Sequence, residues 1–277
     1  MNPRIGNKKL GQVTPLMIQT LYSDLRVAGL SSRSIIHTHT LLHKSFQQAV
    51  KWRMIAQNPV ALVEPPRAER REMSVLTRQE ASKFLDATRG HRYAALFTLA
   101  VSTGMRQGEL LGLRWSDVDI DAKRLQVQQA LQRQREEGLV FVTPKTRQSR
   151  RTIVLSDRAV VALKSHLARQ DDRRATAGCR WVEHDLVFAG LTGGPLEPSK
   201  ITLEFKRTLA AAGLPAIRFH DLRHTAATLL LSQNLHPKMV SEMLGHSTIS
   251  ITLDTYSHLV PVLHQQAAVA MDAMLGD

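Results

Sequence analysis

Cysteine and long apolar runs are scarce in this 277-residue chain, and each shortage excludes a class of protein. The single cysteine, Cys179, cannot form an internal disulfide and offers no thiolate cage for a metal. No stretch approaches the roughly 20 apolar residues of a membrane span, and the opening "MNPRIGNKKL" lacks the apolar core of a secretion signal. A G-x-x-x-x-G-K-[ST] loop for nucleotide phosphates is also missing. We therefore expect a cytoplasmic protein without disulfides or a bound nucleotide.

Acidic residues are few relative to basic ones. The chain carries 37 Lys and Arg against 24 Asp and Glu, a formal net charge of +13. Such an excess favours a polyanionic partner. No amphipathic helix gathers the lysines as a membrane anchor would, so nucleic acid is a better match than a lipid surface. Residues 1–72 hold 11 Lys and Arg and 4 Asp and Glu, so both parts of the chain share the excess.

A change of composition divides the chain near Arg71. "TPLMIQTLYSDLRVAG" predicts a helix capped by Thr14 and ended by Gly29, and a longer helix is predicted from Ser31 or Ser32 to Ile55. The charged, proline-containing stretch "AQNPVALVEPPRAERREMSVLT" has the composition of an interdomain linker. We therefore predict a small helical domain with its linker over residues 1–71 and a larger domain over residues 72–277.

The larger domain is predicted to be helical with one small sheet inserted. Thr77 and Glu80 form a capping-box pattern, and Gly104 ends the apolar helix "RYAALFTLAVSTG". Alternation in "LQVQQAL", "LVFVT" and "RTIVL" predicts three short strands, and helices return after Ser156. The predicted fold class is mainly α with a small antiparallel β-sheet (α+β).

A cationic cluster stands at the start of a predicted helix in "RFHDLRHTAATLL", residues 218–230. It suits either a metal bound through His220 and His224 or a captured phosphate. The two histidines have the i, i+4 spacing of zinc hydrolases, but Asp221 stands where the His-Glu-x-x-His motif needs glutamate. His220 and Arg223 share one helical face, where both can reach one phosphate. We therefore favour the phosphate site without a metal, with His224 as a structural residue.

Four stretches together carry a family resemblance: "STGMRQGELLGLRW", "TPKTRQSRR", "RFHDLRHTAATLL" and "MLGHSTISITLDTYSHL". In this order they closely resemble the tyrosine recombinase, or phage integrase, family. The resemblance covers about residues 73–260 and, weakly, the helical module before them. It implies the tyrosine recombinase catalytic fold preceded by a partial helical core-binding domain that binds DNA. The first helix of that domain has no counterpart before Met1, which we interpret as a truncated gene or an internal start.

The resemblance implies a catalytic set and a reaction. The set comprises Arg106, Lys145, His220, Arg223, His246 and the nucleophile Tyr256, supported by Glu109. The implied enzyme cuts and rejoins DNA strands through a 3′-phosphotyrosyl intermediate, without metal or nucleotide. The residue types fit this chemistry independently, because the planar guanidinium groups of Arg106 and Arg223 can each bind two phosphate oxygens. They would stabilise the negative charge that develops there.

Each remaining side chain has an expected role. A tyrosine has a pKa of about 10 and needs an electropositive site or a base, and we expect His220 to accept its proton. Lys145 suits the general acid that protonates the leaving 5′-oxygen. Glu109, close after Arg106, would orient the cations. Three further cations are expected to contact backbone phosphates of DNA: Arg147, Arg150 and Arg151.

The resemblance also implies partners. These are double-stranded DNA and three further copies of the chain, in a homotetramer on two DNA sites of a mobile genetic element, with accessory DNA-bending proteins as optional additions. The tail "LVPVLHQQAAVAMDAMLGD" carries apolar residues at helical spacing. That face either folds onto its own domain or, as in the family, docks on a neighbouring subunit.

Two other functions stay open at this point. One is the type IB topoisomerase reaction, in which the cut strand swivels and is rejoined without exchange. The other is a non-catalytic DNA-binding remnant of an integrase. The tail after Tyr256 favours recombination over swivelling. The intact catalytic set argues against a remnant, and the missing first helix argues mildly for one.

Overall fold

The computed structural model describes residues 5–67, 73–143 and 150–256, of which 254–256 by backbone alone, together with positions 272 and 275. Predictions for Lys145, Arg147 and the tail beyond Tyr256 therefore lie outside the described residues. The chain divides into two compact units, residues 1–72 and 73–277. No helix in the described ranges is long and apolar enough to cross a membrane.

The first unit is built on two helices, α1 (Pro15–Val27) and α2 (Ser32–Lys51). Both begin where the sequence predicts, because the hydroxyls of Thr14 and Ser31 each accept a hydrogen bond from a backbone N–H of the first turn. The second helix ends at Lys51 rather than Ile55, since Arg53 adopts a left-handed φ of 58°. A core between the helices includes Ile18, Leu21, Ile35, Leu42, Phe46 and Val60.

The second unit is mainly helical. Its described helices are α3 (Arg78–Ala87), α4 (Ala94–Thr103), α5 (Gln107–Leu111), α6 (Asp157–Ala177), α7 (Pro198–Ala211), α8 (Asp221–Ser232), α9 (Pro237–Leu244) and α10 (Ile249–Tyr256). The capping box at the start of α3 is confirmed, because Thr77 N–H donates to the Glu80 carboxylate and Glu80 N–H donates to the Thr77 hydroxyl. The predicted fold class is confirmed: mainly α with small antiparallel sheets.

Helix α4 lies at the centre of this unit. Eight of its ten residues are buried, which is expected of a helix that is apolar on all sides. It packs against α6 on one side and α8 on another. Gly104 ends it in the left-handed conformation, and a Cβ there would come within 2.4 Å of Leu244 Cδ2. This tight glycine turn brings the residues after α4 close to the end of α9.

The strands form two antiparallel sheets, where the sequence predicted one. Their bounds are β1 (Val118–Asp119), β2 (Arg124–Val127), β3 (Ala130–Gln134), β4 (Gly138–Val142) and β5 (Arg151–Val154). One described sheet has the order β1-β2-β5, with Leu125 opposite Ile153, and the other is the hairpin β3-β4, with Leu131 opposite Phe141. The predicted strand "LQVQQAL" is therefore two strands. The strand before Gln128 and Gln129 pairs with β5, and the strand after them pairs with β4. The Gln129 side chain donates to Gly112 O at 2.9 Å.

Candidate active site

Arg106 stands directly before α5 and is held by a carboxylate. Glu109 Oε2 accepts from the Arg106 backbone N–H at 2.9 Å, and Oε1 accepts from Arg106 Nη1 at 2.8 Å. The Glu109 side chain is only 5% exposed, whereas that of Arg106 is 41% exposed. Glu109 therefore caps the start of α5 and also holds one edge of the Arg106 guanidinium, which still faces solvent.

The second partner of Glu109 is Arg151, on β5. Its Nη1 and Nη2 donate to the two carboxylate oxygens at 3.2 and 2.9 Å, and its Nε donates to Met243 O at 2.6 Å. The side chain is 7% exposed. This differs from the DNA contact expected for Arg151, because a guanidinium buried against a carboxylate and a carbonyl faces the protein interior. Its neighbour Arg150 is exposed.

Helix α8 supplies the second arginine. Arg223 is 4% exposed, and its Nη1 donates to Gly104 O at 3.0 Å and to Leu244 O at 2.7 Å. His220 immediately precedes the helix and is exposed. Between them, buried Asp221 accepts from the backbone N–H and the guanidinium of Arg218. Arg218 therefore binds a carboxylate three residues away, whereas Arg223 binds carbonyls at the ends of α4 and α9.

Three arginines from separate parts of the chain meet at the end of α9. The consecutive carbonyls of Met243, Leu244 and Gly245 accept from Arg151, Arg223 and Arg106, respectively, the last at 3.4 Å. The end of a helix carries a partial negative charge, which attracts the guanidinium groups. Gly245 is required in this turn, because its φ is 70° and a Cβ would lie 2.9 Å from Arg151 Nη1. Arg106 and Arg223 thereby donate to neighbouring carbonyls of one turn.

His246 follows this turn and contacts the last described helix. Its Nδ1 lies 2.7 Å from Oγ1 of Thr252, a residue of α10 that is fully buried. Tyr256 is the last residue of α10, one helical turn after Thr252. The turn after α9 therefore connects the arginines, through His246, to the helix that ends in the tyrosine.

Burial and positive charge perturb the pKa values of the site. Burial, followed by the charges of Arg223 and Arg106, lowers the pKa of His246 to about 4. Loss of water around the ring, then the charge of Arg223, lowers the pKa of His220. Burial alone would raise the pKa of Glu109, but hydrogen bonds and charge from Arg151 and then Arg106 lower it overall. At neutral pH the site therefore holds an ionised Glu109 and neutral histidines beside the guanidinium groups of Arg106, Arg151 and Arg223.

The histidine pair considered as a metal site lies at this same helix start. The rings of His220 and His224 are edge to face with centroids 5.2 Å apart. Burial, then the neighbouring His220, lowers the pKa of His224. In the described ranges no group of three or more His, Cys, Asp or Glu side chains is arranged to hold a metal ion.

Comparison with known protein families matches residues 74–261 to the phage integrase family. The chain belongs to that family. One relative, a tyrosine recombinase XerC-like protein of Caldanaerobacter subterraneus subsp. tengcongensis, is 35% identical over 94% of this chain and 71% of its own length. The protein is therefore a tyrosine recombinase, an enzyme of site-specific DNA cleavage and rejoining.

Solved integrase structures share the fold of this recombinase. The Tn1549 transposon integrase in complex with transposon right end DNA has a TM-score of 0.82 and 22% identity, covering 99% of this chain and 89% of that one. A lambda integrase tetramer bound to a Holliday junction has a TM-score of 0.64 and 22% identity, covering 92% and 67%. The likeness extends over both units of the chain.

Sequence reasoning missed two features of the site. One is the buried pairing of Arg151, which nothing in "QSRR" distinguishes from the exposed position of Arg150. The other is Thr252, for which a signal exists: it stands four residues before Tyr256 and so shares its helical face.

Proposed function

We propose that Arg106, Arg223, His220 and His246 of this recombinase bind the scissile phosphate of DNA and that Tyr256 attacks it. One observation supports this most directly. Arg106 and Arg223 donate to the neighbouring carbonyls of Gly245 and Leu244, beside His246. Hydrogen-bond donors fixed in position before substrate arrives need little reorganisation when charge develops in the transition state.

The chemistry proceeds by exchange of one phosphorus–oxygen bond for another. Tyr256 Oη forms a bond to the phosphorus as the bond to the 5′-oxygen breaks, which leaves a 3′-phosphotyrosyl link and a free 5′-hydroxyl. Negative charge grows on the two non-bridging oxygens, where guanidinium groups fit in planar, bidentate fashion. Rejoining reverses the step with a 5′-hydroxyl from the partner strand, so that no external energy source is needed.

Two proton transfers accompany the exchange. His220 accepts the tyrosine proton, a role that suits an imidazole kept neutral by its lowered pKa. Lys145, outside the described residues, protonates the leaving 5′-oxygen. Neither transfer requires a metal ion, because the arginines already supply the positive charge.

Double-stranded DNA is the substrate, and the formal net charge of +13 suits its backbone. The Tn1549 integrase is solved with transposon DNA and the lambda integrase as a tetramer on a Holliday junction. By analogy, residues 1–71 form the partial core-binding domain, and four copies of this chain act together on two DNA sites.

The test is covalent adduct formation on DNA duplexes from the genomic neighbourhood of the gene. Each duplex carries a nick close to the cleavage position, so that the short cut strand diffuses away and the adduct cannot be rejoined. Wild-type protein in a chelating buffer should give a protein–DNA band on a denaturing gel. Tyr256→Phe should bind the same duplex and give no band. Cleavage by the phenylalanine variant would show that another residue is the nucleophile, and loss of the wild-type band in chelator, restored by zinc, would show that the reaction uses a metal.

A further inference from the structure

The hydrogen bond between His246 and Thr252 connects the phosphate site to the tyrosine helix. His246 Nδ1 and Thr252 Oγ1 are 2.7 Å apart, and Thr252 is fully buried. We propose that Thr252 is a positioning residue that holds His246 in the tautomer with its proton on Nε2. The proposal rests on the proposed phosphate-binding role of His246.

The tautomer follows from counting hydrogens. A neutral imidazole has one N–H, and a threonine hydroxyl can either donate or accept. Among the described residues, His246 Nδ1 is the hydrogen-bond partner found for the Thr252 hydroxyl. If Nδ1 carried the proton, the hydroxyl would have to accept, and its own hydrogen would be buried without an acceptor, which is costly. The hydroxyl therefore donates to Nδ1, and the ring proton lies on Nε2.

The ring is neutral under working conditions, so this choice of tautomer matters. Burial and the charges of Arg223 and Arg106 lower the pKa of His246 to about 4. A neutral ring can donate to a phosphate oxygen only through a nitrogen that carries hydrogen. With Nδ1 occupied by Thr252, Nε2 is the nitrogen left to face an anion. The opposite tautomer would direct a lone pair at the phosphate and repel it.

The same bond also joins His246 to the helix that carries Tyr256. Thr252 lies four residues before Tyr256 on α10, hence on the same face of the helix. His246 is joined directly to Gly245, whose carbonyl accepts from Arg106. This hydrogen bond therefore links the helix of the tyrosine to the turn that holds the proposed phosphate donors.

The chain offers a matched control. Thr228 on α8 also has a buried hydroxyl, and no hydrogen-bond partner is found for it among the described residues. Thr252→Val keeps the shape of the side chain and removes the hydroxyl, Thr252→Ser keeps the hydroxyl, and Thr228→Val removes a hydroxyl that has no such bond. If Thr252 only filled space, Thr252→Val would slow the reaction no more than Thr228→Val does.

The first measurement needs no DNA. Nitrogen-15 NMR of histidine-labelled full-length protein near pH 7 reports which ring nitrogen carries the proton, and a His246→Gln sample assigns the signal. Wild type should show His246 protonated on Nε2, and Thr252→Val should shift it toward a mixture of tautomers. Wild-type His246 with its proton on Nδ1 would overturn the proposal, whatever the variants do.

The second measurement is the single-turnover rate of adduct formation on the nicked duplex. Thr252→Val should react about 10- to 100-fold more slowly, less than the loss of about 10²- to 10³-fold expected when a donor is removed outright. Thr252→Ser and Thr228→Val should react within about threefold of wild type. A wild-type rate in folded Thr252→Val refutes the positioning role, whereas absence of adduct from wild type refutes the proposed function instead.

Discussion

Replacing Arg151 by methionine should destabilise the second unit strongly. Among the described residues, the change removes the two hydrogen bonds to Glu109 and the one to Met243 O. It leaves a carboxylate whose side chain is 5% exposed, with Arg106 still paired to it. Breaking a buried ion pair by removing one partner costs about 3–5 kcal/mol. Because Arg106 still donates twice to Glu109, we expect a loss near the lower end, about 3 kcal/mol.

Urea unfolding followed by circular dichroism measures this loss, and the thermal midpoint should fall by roughly 6–12 °C for a domain of this size. Arg150→Ala is the control, since loss of the adjacent exposed arginine should change stability by less than about 0.5 kcal/mol. The double variant Glu109→Gln/Arg151→Met should regain part of the lost stability, because it no longer buries a charged carboxylate that lacks one of its two arginine partners. Equal effects of Arg151→Met and Arg150→Ala would refute the reasoning that Arg151 is a buried structural cation.

Two further outcomes are expected. The free energy of unfolding should decrease as the pH falls from about 6.5 to about 4, because His166 and His246 have pKa values of about 4 in the folded chain and the unfolded chain takes up their protons first. His166→Gln should flatten this dependence, and an unchanged slope in urea titrations would contradict it. Deleting residues 262–277 should leave binding to one DNA site intact and abolish higher-order complexes and strand exchange in native gels. Normal recombination by the truncated protein would instead mean that the tail is structural, and efficient relaxation of supercoils by a monomer would indicate a swivelling topoisomerase.

The sequence by itself predicted the features that depend on local interactions. Thr14, Ser31 and the Thr77–Glu80 pair set helix starts through hydrogen bonds within one turn. Gly104 ends α4 in a conformation that glycine adopts without strain. The family and the recombinase reaction were also predicted, because the motifs keep their order and residue types along the chain.

Tertiary structure alone decided which side chains of equal chemistry face the interior. Arg150 and Arg151 are adjacent and identical in type, yet Arg151 is buried by partners 42 and 92 residues away, Glu109 and Met243. The division of "LQVQQAL" into β2 and β3 likewise depends on pairing with β5 and β4. Hydrogen bonds between distant segments leave no periodic trace in the sequence. Their formation depends on how helices and strands pack, and that packing brings Arg106, Arg223 and His246 to one helix end.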